Sequence, residues 1–379
     1  MPIQPPIPQQ YRTMAPEQLA QRVAARKAEL GSDLCILGHH YQSDDVIQFA
    51  DFIGDSLKLS QQAAAQSARY IVFCGVHFMA ESADLLTGPA QAVVLPNLRA
   101  GCSMAEMADA DDVRSALAEL GQASGGRRVV PITYINSTAA VKAVTGAAGG
   151  SCCTSSNVRS VFEWAFKPMG EGGAGADIIL AVPDQHLAIN TAEAMGLGDE
   201  DWAIWRFEKP QGGLGAQQAQ RVRLVVLPGS CYVHQRFKPA DVEAVRRQHE
   251  GIEVIVHPEC PREVVRLADA SGSTEQIIRA VEQSAPGSQW AIGTEANLVN
   301  RLARRWPDRF IRNLSDAPST CWQMACIDLP HLLWALDNLA EGRLVNQVKV
   351  DEPIASDARV ALQRMVALKA QTQTVRIKR

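Results

Sequence analysis

Short unbroken apolar runs, each closing in a polar loop, recur along the chain. Leu34-Cys35-Ile36-Leu37 ends in Gly38-His39-His40-Tyr41-Gln42. Ile71-Val72-Phe73-Cys74 ends in Gly75-Val76-His77-Phe78-Met79-Ala80-Glu81, and Ala92-Val93-Val94-Leu95-Pro96 leads to Gly101-Cys102-Ser103-Met104. Strands covered on both faces read as continuous β-branched runs, and strand–loop–helix alternation is the pattern of a parallel sheet with covering helices. The pattern restarts at Val129–Ser137, continued by Ile178–Asp184. It begins a third time at Leu224-Val225-Val226-Leu227, continued by Val254–Val256 and Trp290–Glu295. Between the runs, helices are predicted over 16–30, from Ser56 through Ala65, and over Val158–Phe166. Lys167–Ala176, rich in glycine, reads as a turn. Near the C-terminus, Leu329, Leu332, Leu333, Leu336 and Leu339 line one helix face, with Asp328 as N-cap and Pro330 in the first turn. The expected fold class is α/β, with three αβα lobes of short parallel sheets. Residues 1–127 form the first lobe with an N-terminal lead-in, 128–221 the second and 222–310 the third. Residues 311–379 form a cysteine-bearing loop and helices that pack back on the first lobe. If the lobes face one another, their strand-end loops converge on a shared centre.

Composition narrows the class. A chain of 379 residues is long enough for two or three domains at ~150 residues each. A net charge of −4 gives no reason to expect a nucleic-acid-binding surface. No apolar run approaches the ~20 residues that span a bilayer, so no membrane partner is expected. The proline-rich start, Met1 to Pro8, lacks the charged and apolar regions of a signal peptide, so a cytoplasmic location is expected. Nine cysteines, odd in number and widely scattered with no CxxC pair, argue against a disulfide framework or a compact zinc motif. Cys35 and Cys74 fall inside strands and read as small core residues.

Loops at the carboxyl ends of parallel strands are where α/β proteins place ligands. His257-Pro258-Glu259 follows Val254-Ile255-Val256 and offers an acid–base pair. Gly272-Ser273-Thr274-Glu275 then opens a helix whose N-terminus can cradle an anion. A plainer reading makes Ser273 and Thr274 caps only, and His257 and Glu259 surface decoration. Cys102, Cys231 and Cys321 sit in loops, one in each third of the chain. Three thiolates suit a soft metal, and a [4Fe–4S] cluster with three ligands leaves one iron open as a Lewis acid. Spacing alone does not separate this from scatter. His39, His40, His77, His234 and His257 make a metal-dependent hydrolase the rival, although HExxH and G-x-S-x-G are absent. A small-anion binding protein is the third reading. Neither G-x-G-x-x-G nor a P-loop is present.

The ordered set Gly38-His39-His40-Tyr41-Gln42, Gly54-Asp55-Ser56, Phe78-Met79-Ala80-Glu81, Thr133-Tyr134-Ile135-Asn136-Ser137, Thr154-Ser155-Ser156-Asn157, Cys231-Tyr232-Val233-His234, His257-Pro258-Glu259 and Gly272-Ser273-Thr274 resembles quinolinate synthase over roughly residues 30 to 345. The resemblance implies three αβα lobes in a pseudo-threefold triangle around a central [4Fe–4S] cluster held by Cys102, Cys231 and Cys321. It implies condensation of iminoaspartate with dihydroxyacetone phosphate to quinolinate, with loss of phosphate and two waters, for NAD biosynthesis. It leaves room for functional coupling to an aspartate-oxidising enzyme. By motif, His39, Tyr41 and Glu259 are proton-transfer groups. Substrate is held by Ser56, Tyr134, Asn136, Ser155, His257, Ser273 and Thr274, with His39 and Glu259 also in contact; His234 lies beside a ligand. Trp322 after Cys321 departs from the proline common there in the family. Cys326, close to the Asp328 cap, is a second candidate ligand whose pKa the helix dipole is expected to lower.

Overall fold

The computed structural model describes residues 4–368 and 375–376. Among these residues the strands form three five-stranded sheets. In the first, the order across the sheet is Gln347–Val348, Ala92–Val94, Tyr70–Cys74, Leu34–His39, Phe52–Gly54. In the second it is Ser151–Cys153, Val129–Tyr134, Ile178–Val182, Leu224–Val226, Trp202–Ile204. In the third it is Phe310–Asn313, Gln289–Gly293, Glu253–Val256, Ala270–Ser271, Val375–Arg376. Gln347–Val348 and Val375–Arg376 join their edges antiparallel; the other pairings are parallel. The chain divides into two compact units: 1–102 with 320–351, and 103–319 with 352–379. The first sheet lies in the first unit and the other two in the second.

The continuous apolar runs account for this architecture. Leu34–His39, Tyr70–Cys74 and Ile178–Val182 are buried at every position, as parallel strands between helical layers must be. Aspartates cap several of the helices. Asp55 accepts from the Lys58 amide and opens the helix Ser56–Ala65. Asp328 accepts from the His331 amide and opens Leu329–Ala340. The expected helices appear at Pro16–Leu30, Ser56–Ala65, Val158–Phe166 and Leu329–Ala340, and the five leucines of the last are buried.

Two expectations change. Leu224–Val226 does not open the third lobe. It pairs with Ile178–Val182 on one side and Trp202–Ile204 on the other, completing the second sheet, so the third begins at Glu253–Val256. A short buried apolar run carries no local mark of the sheet it joins. The C-terminal helices also separate. Leu329–Ala340 packs on Pro16–Leu30 in the first unit, where Arg22 and Arg26 pair with Asp337 at 2.7 and 2.6 Å. Ile354–Ala367 instead packs on Ala139–Ala147 in the second unit. Its small residues Ala355, Ala358 and Ala361 are buried, and Gly146 permits the close approach, since a Cβ there would overlap the Asp357 carbonyl.

Candidate active site

In the second unit, the Glu253–Val256 strand delivers His257 just past its carboxyl end. The turn is held from both sides: the His257 amide donates to the Gly293 carbonyl at 3.0 Å, and Asn190 Nδ2 donates to the Pro258 and Cys260 carbonyls at 2.8 and 2.9 Å. His257 and Glu259 are 2% and 3% exposed, which rules out surface decoration. Glu259 Oε2 lies 3.1 Å from His257 Nδ1 and 3.2 Å from His234 Nε2, and the two imidazoles stack with centroids 4.3 Å apart. Burial alone would raise the Glu259 pKa. The contacts with His234 and His257 outweigh it and hold the carboxyl below the usual carboxylate range. Burial and the charge of His234 push His257 down to about 4, so its ring is neutral at pH 7. A neutral imidazole carries one N–H. His257 Nδ1 lies 3.1 Å from Glu259 Oε2 and 3.4 Å from the Glu259 amide nitrogen, and Nε2 lies 3.2 Å from the Ser155 hydroxyl. Ser155, His257 and Glu259 thus form a hydrogen-bonded chain of the kind that moves protons.

The anion side is built on Thr274–Glu282. Ser273 accepts from the Gln276 amide at 3.4 Å, while Gln276 Oε1 accepts from the Ser273 amide at 2.7 Å, a reciprocal capping box. The same hydroxyl accepts from Ser156 at 2.9 Å. The Thr154–Asn157 turn of the second sheet therefore touches the third-sheet loops twice, Ser155 at His257 and Ser156 at Ser273. A cleft lined by Ser155, Arg159, Asn190, Ser271 and Gln276 opens beside Ser155. Tyr134 ends the Val129–Tyr134 strand and is buried. The buried Lys142 donates to the Ser137 carbonyl and so braces the loop presenting Asn136. Asn136 Oδ1 is buried without a hydrogen-bond partner among the described residues, an arrangement that calls for a donor from a ligand or water.

Because Ser273 has a cap role, its loss has two separable effects. The Ser273→Ala, Thr274→Ala double variant should lose about 1 kcal/mol of stability from the cap. It should also lose affinity for an anionic substrate or product, read by isothermal titration beside thermal unfolding. Unchanged affinity with lowered stability would leave the hydroxyls as caps only.

In the first unit, His39 ends the Leu34–His39 strand and is 5% exposed. Its ring meets that of Tyr41 edge-on, with centroids 4.7 Å apart. The Tyr41 amide donates to His39 Nδ1 at 3.2 Å, so in the neutral ring Nε2 carries the proton. Gln42 Nε2 donates to the Met324 carbonyl at 3.1 Å, tying the His39 loop to the segment after Cys321. Ser56 is the first residue of its helix, behind the Asp55 cap.

The cysteines divide by burial. Cys35, Cys74, Cys152, Cys153 and Cys260 are buried, and burial raises their thiols, the first three to about 12. Cys102, Cys231, Cys321 and Cys326 are half-buried. Cys326 corrects an expectation: its thiol is raised, first by burial and then by the Asp328 carboxylate, with Arg99 opposing. Its Sγ donates to the Trp322 carbonyl at 3.5 Å. The donor atoms of Cys231, His234 and Glu259 lie within 4.8 Å of one another and could hold a metal ion. His234 and Glu259 are paired with each other, and Cys231, through its sulfur, is the soft donor of that set.

The second unit thus brings together Ser155, His257, Glu259 and Ser273, with His234 and Cys231 adjoining. His39 and Tyr41 form a pair of their own in the first. Three residues escaped the sequence reading. Ser156 bridges to Ser273, Asn190 pins the His257 turn, and Asp184 lies within hydrogen-bonding reach of Glu259. Asp184 carried a signal as a polar residue closing the Ile178–Val182 strand, and Ser156 stood within the Thr154–Asn157 motif without a role. No helix among the described residues is long and apolar enough to cross a membrane.

Fold and site together define an α/β enzyme with a buried carboxylate–imidazole cluster, hydroxyls at a helix N-terminus, and half-buried thiols. A family model described as quinolinate synthetase A protein matches residues 21–367, and the chain belongs to that family. It is similar to the quinolinate synthase of Acidobacterium capsulatum, 49% identical over 362 residues, 95% of each chain. It is also similar to that of a Nocardioides species, 50% identical over 92% of this chain and 89% of the relative. A third, from Geobacillus thermodenitrificans, is 48% identical over 96% of each chain.

Proposed function

We propose that the enzyme condenses iminoaspartate with dihydroxyacetone phosphate to quinolinate, in the cytoplasm, as a step of NAD biosynthesis. The atoms balance: the two substrates contain one quinolinate, one phosphate and two waters. Iminoaspartate is a reactive imine, and an aspartate-oxidising enzyme is the reaction class that supplies it. Family membership supports the reaction, and the Ser155–His257–Glu259 chain supports its proton traffic. Glu259 takes a proton from a carbon or hydroxyl of the bound substrates, and His257 with Ser155 returns one to a departing oxygen. His39, proton-bearing at Nε2, holds a proton for a carbonyl or hydroxyl oxygen, with Tyr41 against its ring. Asn136 and Tyr134, with Ser56, Ser155 and His257, orient the substrates. Ser273 and Thr274 hold a carboxylate or phosphate through the helix N-terminus.

The cofactor proposed is a [4Fe–4S] cluster on Cys102, Cys231 and Cys321. The donor chemistry fits, because thiolates are the ligands of such clusters, and these three thiols escape the full burial that keeps five others protonated. Two hydrogen bonds inside the second unit support the reading. The Ser230 amide donates to Met107 Sδ at 3.4 Å, and Ser319 Oγ donates to the Val233 carbonyl at 2.6 Å. Residues flanking Cys102 and Cys321 in sequence thus bond to those flanking Cys231. When bound, the cluster supplies an open iron as Lewis acid toward a departing hydroxyl. Anaerobically purified protein should be brown, hold about four irons and matching sulfide per chain, and form quinolinate from the two substrates. Stoichiometric zinc without sulfide, and no quinolinate, would overturn both cofactor and reaction.

A further inference from the structure

We infer that the cleft beside Ser155 is a binding site for hydrogen phosphate, the ion that the proposed condensation releases. That the ion is the enzyme's own product rests on the proposed reaction; the site itself rests on the residues that line it. All of them lie in the second unit.

The cleft encloses about 60 Å³, room for about two waters or one tetrahedral oxyanion. Val158 and Val265 supply apolar wall, and polar groups converge from separate elements. Ser271 ends the short strand Ala270–Ser271 and is 6% exposed. Its hydroxyl is buried without a hydrogen-bond partner among the described residues. Asn190 comes from the helix Gln185–Ala194 and is 8% exposed. Its Nδ2 is engaged by the Pro258 and Cys260 carbonyls at 2.8 and 2.9 Å, which fixes the orientation of the amide. Oδ1 is then the end left over, buried and without a partner among the described residues. Buried polar atoms call for partners. Oδ1 needs a donor, and the Ser271 hydroxyl can take either kind.

A further side of the cleft is positive. The helix Val158–Phe166 begins there: Asn157, its N-cap, makes no side-chain capping bond, and no acidic residue stands in its first turn. That turn instead holds Arg159, which lines the cleft. A cation in this place opposes the helix macrodipole, and an anion at the helix start reconciles the two. Glu163 takes Arg159 Nε at 2.9 Å and leaves the terminal nitrogens of the guanidinium to a ligand. The Ser155 hydroxyl, 3.2 Å from His257 Nε2, ties the cleft to the carboxylate–imidazole cluster. Water would satisfy Asn190 Oδ1 but bring no anion to Arg159 and the uncapped helix. Sulfate or a carboxylate would meet the cation but offer Asn190 Oδ1 no donor. Hydrogen phosphate does both. Its oxygens accept from Arg159, Ser271 and the helix N–H groups, and its O–H donates to Asn190 Oδ1.

Isothermal titration of inorganic phosphate and of sulfate into the full chain at neutral pH tests this, on native protein and on Ser271→Ala and Arg159→Gln. Both variants should keep the native thermal midpoint when phosphate is absent. The Ser271 hydroxyl has no bond to lose, and the Arg159–Glu163 pair is solvent-exposed. Native protein should bind phosphate about tenfold or more tightly than sulfate, because a site built around a donor rejects the analogue lacking it. Arg159→Gln should weaken phosphate about tenfold or more, and Ser271→Ala several-fold. The inference is overturned if sulfate binds as tightly as phosphate, or if neither substitution weakens phosphate. Phosphate affinity lost only in the Ser273→Ala, Thr274→Ala double variant would place the ion at the start of Thr274–Glu282 and overturn it as well. Phosphate binding with the expected dependence, in protein that forms no quinolinate, would uphold the site and remove the reaction, so the two ideas fail separately.

Discussion

Glu259→Gln is expected to retain the fold and the metal content while losing ~10²-fold or more in turnover, the share general acid–base catalysis usually supplies. The substitution isolates charge from shape. The turn carrying residue 259 is held by Asn190 and by the Gly293 carbonyl, neither of which uses the carboxylate. A glutamine oxygen in the Oε2 position still lies between the His234 and His257 rings. The contacts at Oε2 are therefore kept, and the cost of about 1–3 kcal/mol for leaving a buried partner unpaired there is avoided. What disappears is the anion between two imidazoles and its capacity to take a proton. Far-ultraviolet circular dichroism, thermal midpoint, iron content and steady-state turnover measured on one preparation separate these effects. Near-native turnover with an intact fold would show that Glu259 is a structural partner of the histidines and nothing more.

Which features were legible in the sequence follows from how far each one reaches. Leu34–His39, Tyr70–Cys74 and Ile178–Val182 announced themselves because a strand buried on both faces is a continuous apolar run. Phe52–Gly54, Ser151–Cys153 and Ala270–Ser271 did not, since two or three residues hold no periodicity and exist as strands only through their partners. Ser273 was legible as a cap because its evidence is local: a serine with a glutamine three residues on. The Glu259 environment is the opposite case. His257 was visible two residues away, but His234 and Asp184 reach the same carboxylate from other loops. Their effect on its charge belongs to the assembled second unit. Cys326 failed for a related reason: its distance from the Asp328 cap is readable in sequence, while the burial that raises its thiol is not.

Cys321→Ser is expected to abolish the cluster or leave it labile, whereas Cys326→Ser should keep both cluster and activity. The ligand is a thiolate, so a cysteine held as a thiol is the poorer candidate. Cys326 is held as a thiol: burial and Asp328 raise it, and its Sγ acts as a donor to the Trp322 carbonyl. It also closes the short turn Met324–Cys326, whose ends are pinned by Gln42 at the Met324 carbonyl and by Asn97 at the Cys326 carbonyl, at 3.1 and 2.7 Å. A serine at 326 can make the same bond to Trp322, so that turn should survive the change. Cys321 precedes the turn, half-buried, with its Sγ 3.8 Å from Gln323 Oε1, a long contact that a stronger metal–sulfur bond can replace. Serine at 321 offers a hard, protonated hydroxyl where a soft anion is needed. Iron and acid-labile sulfide per chain, measured anaerobically on both variants, decide the matter. Loss of cluster in Cys326→Ser with retention in Cys321→Ser would move the third ligand into the Met324–Cys326 turn and require that turn to open when the metal binds.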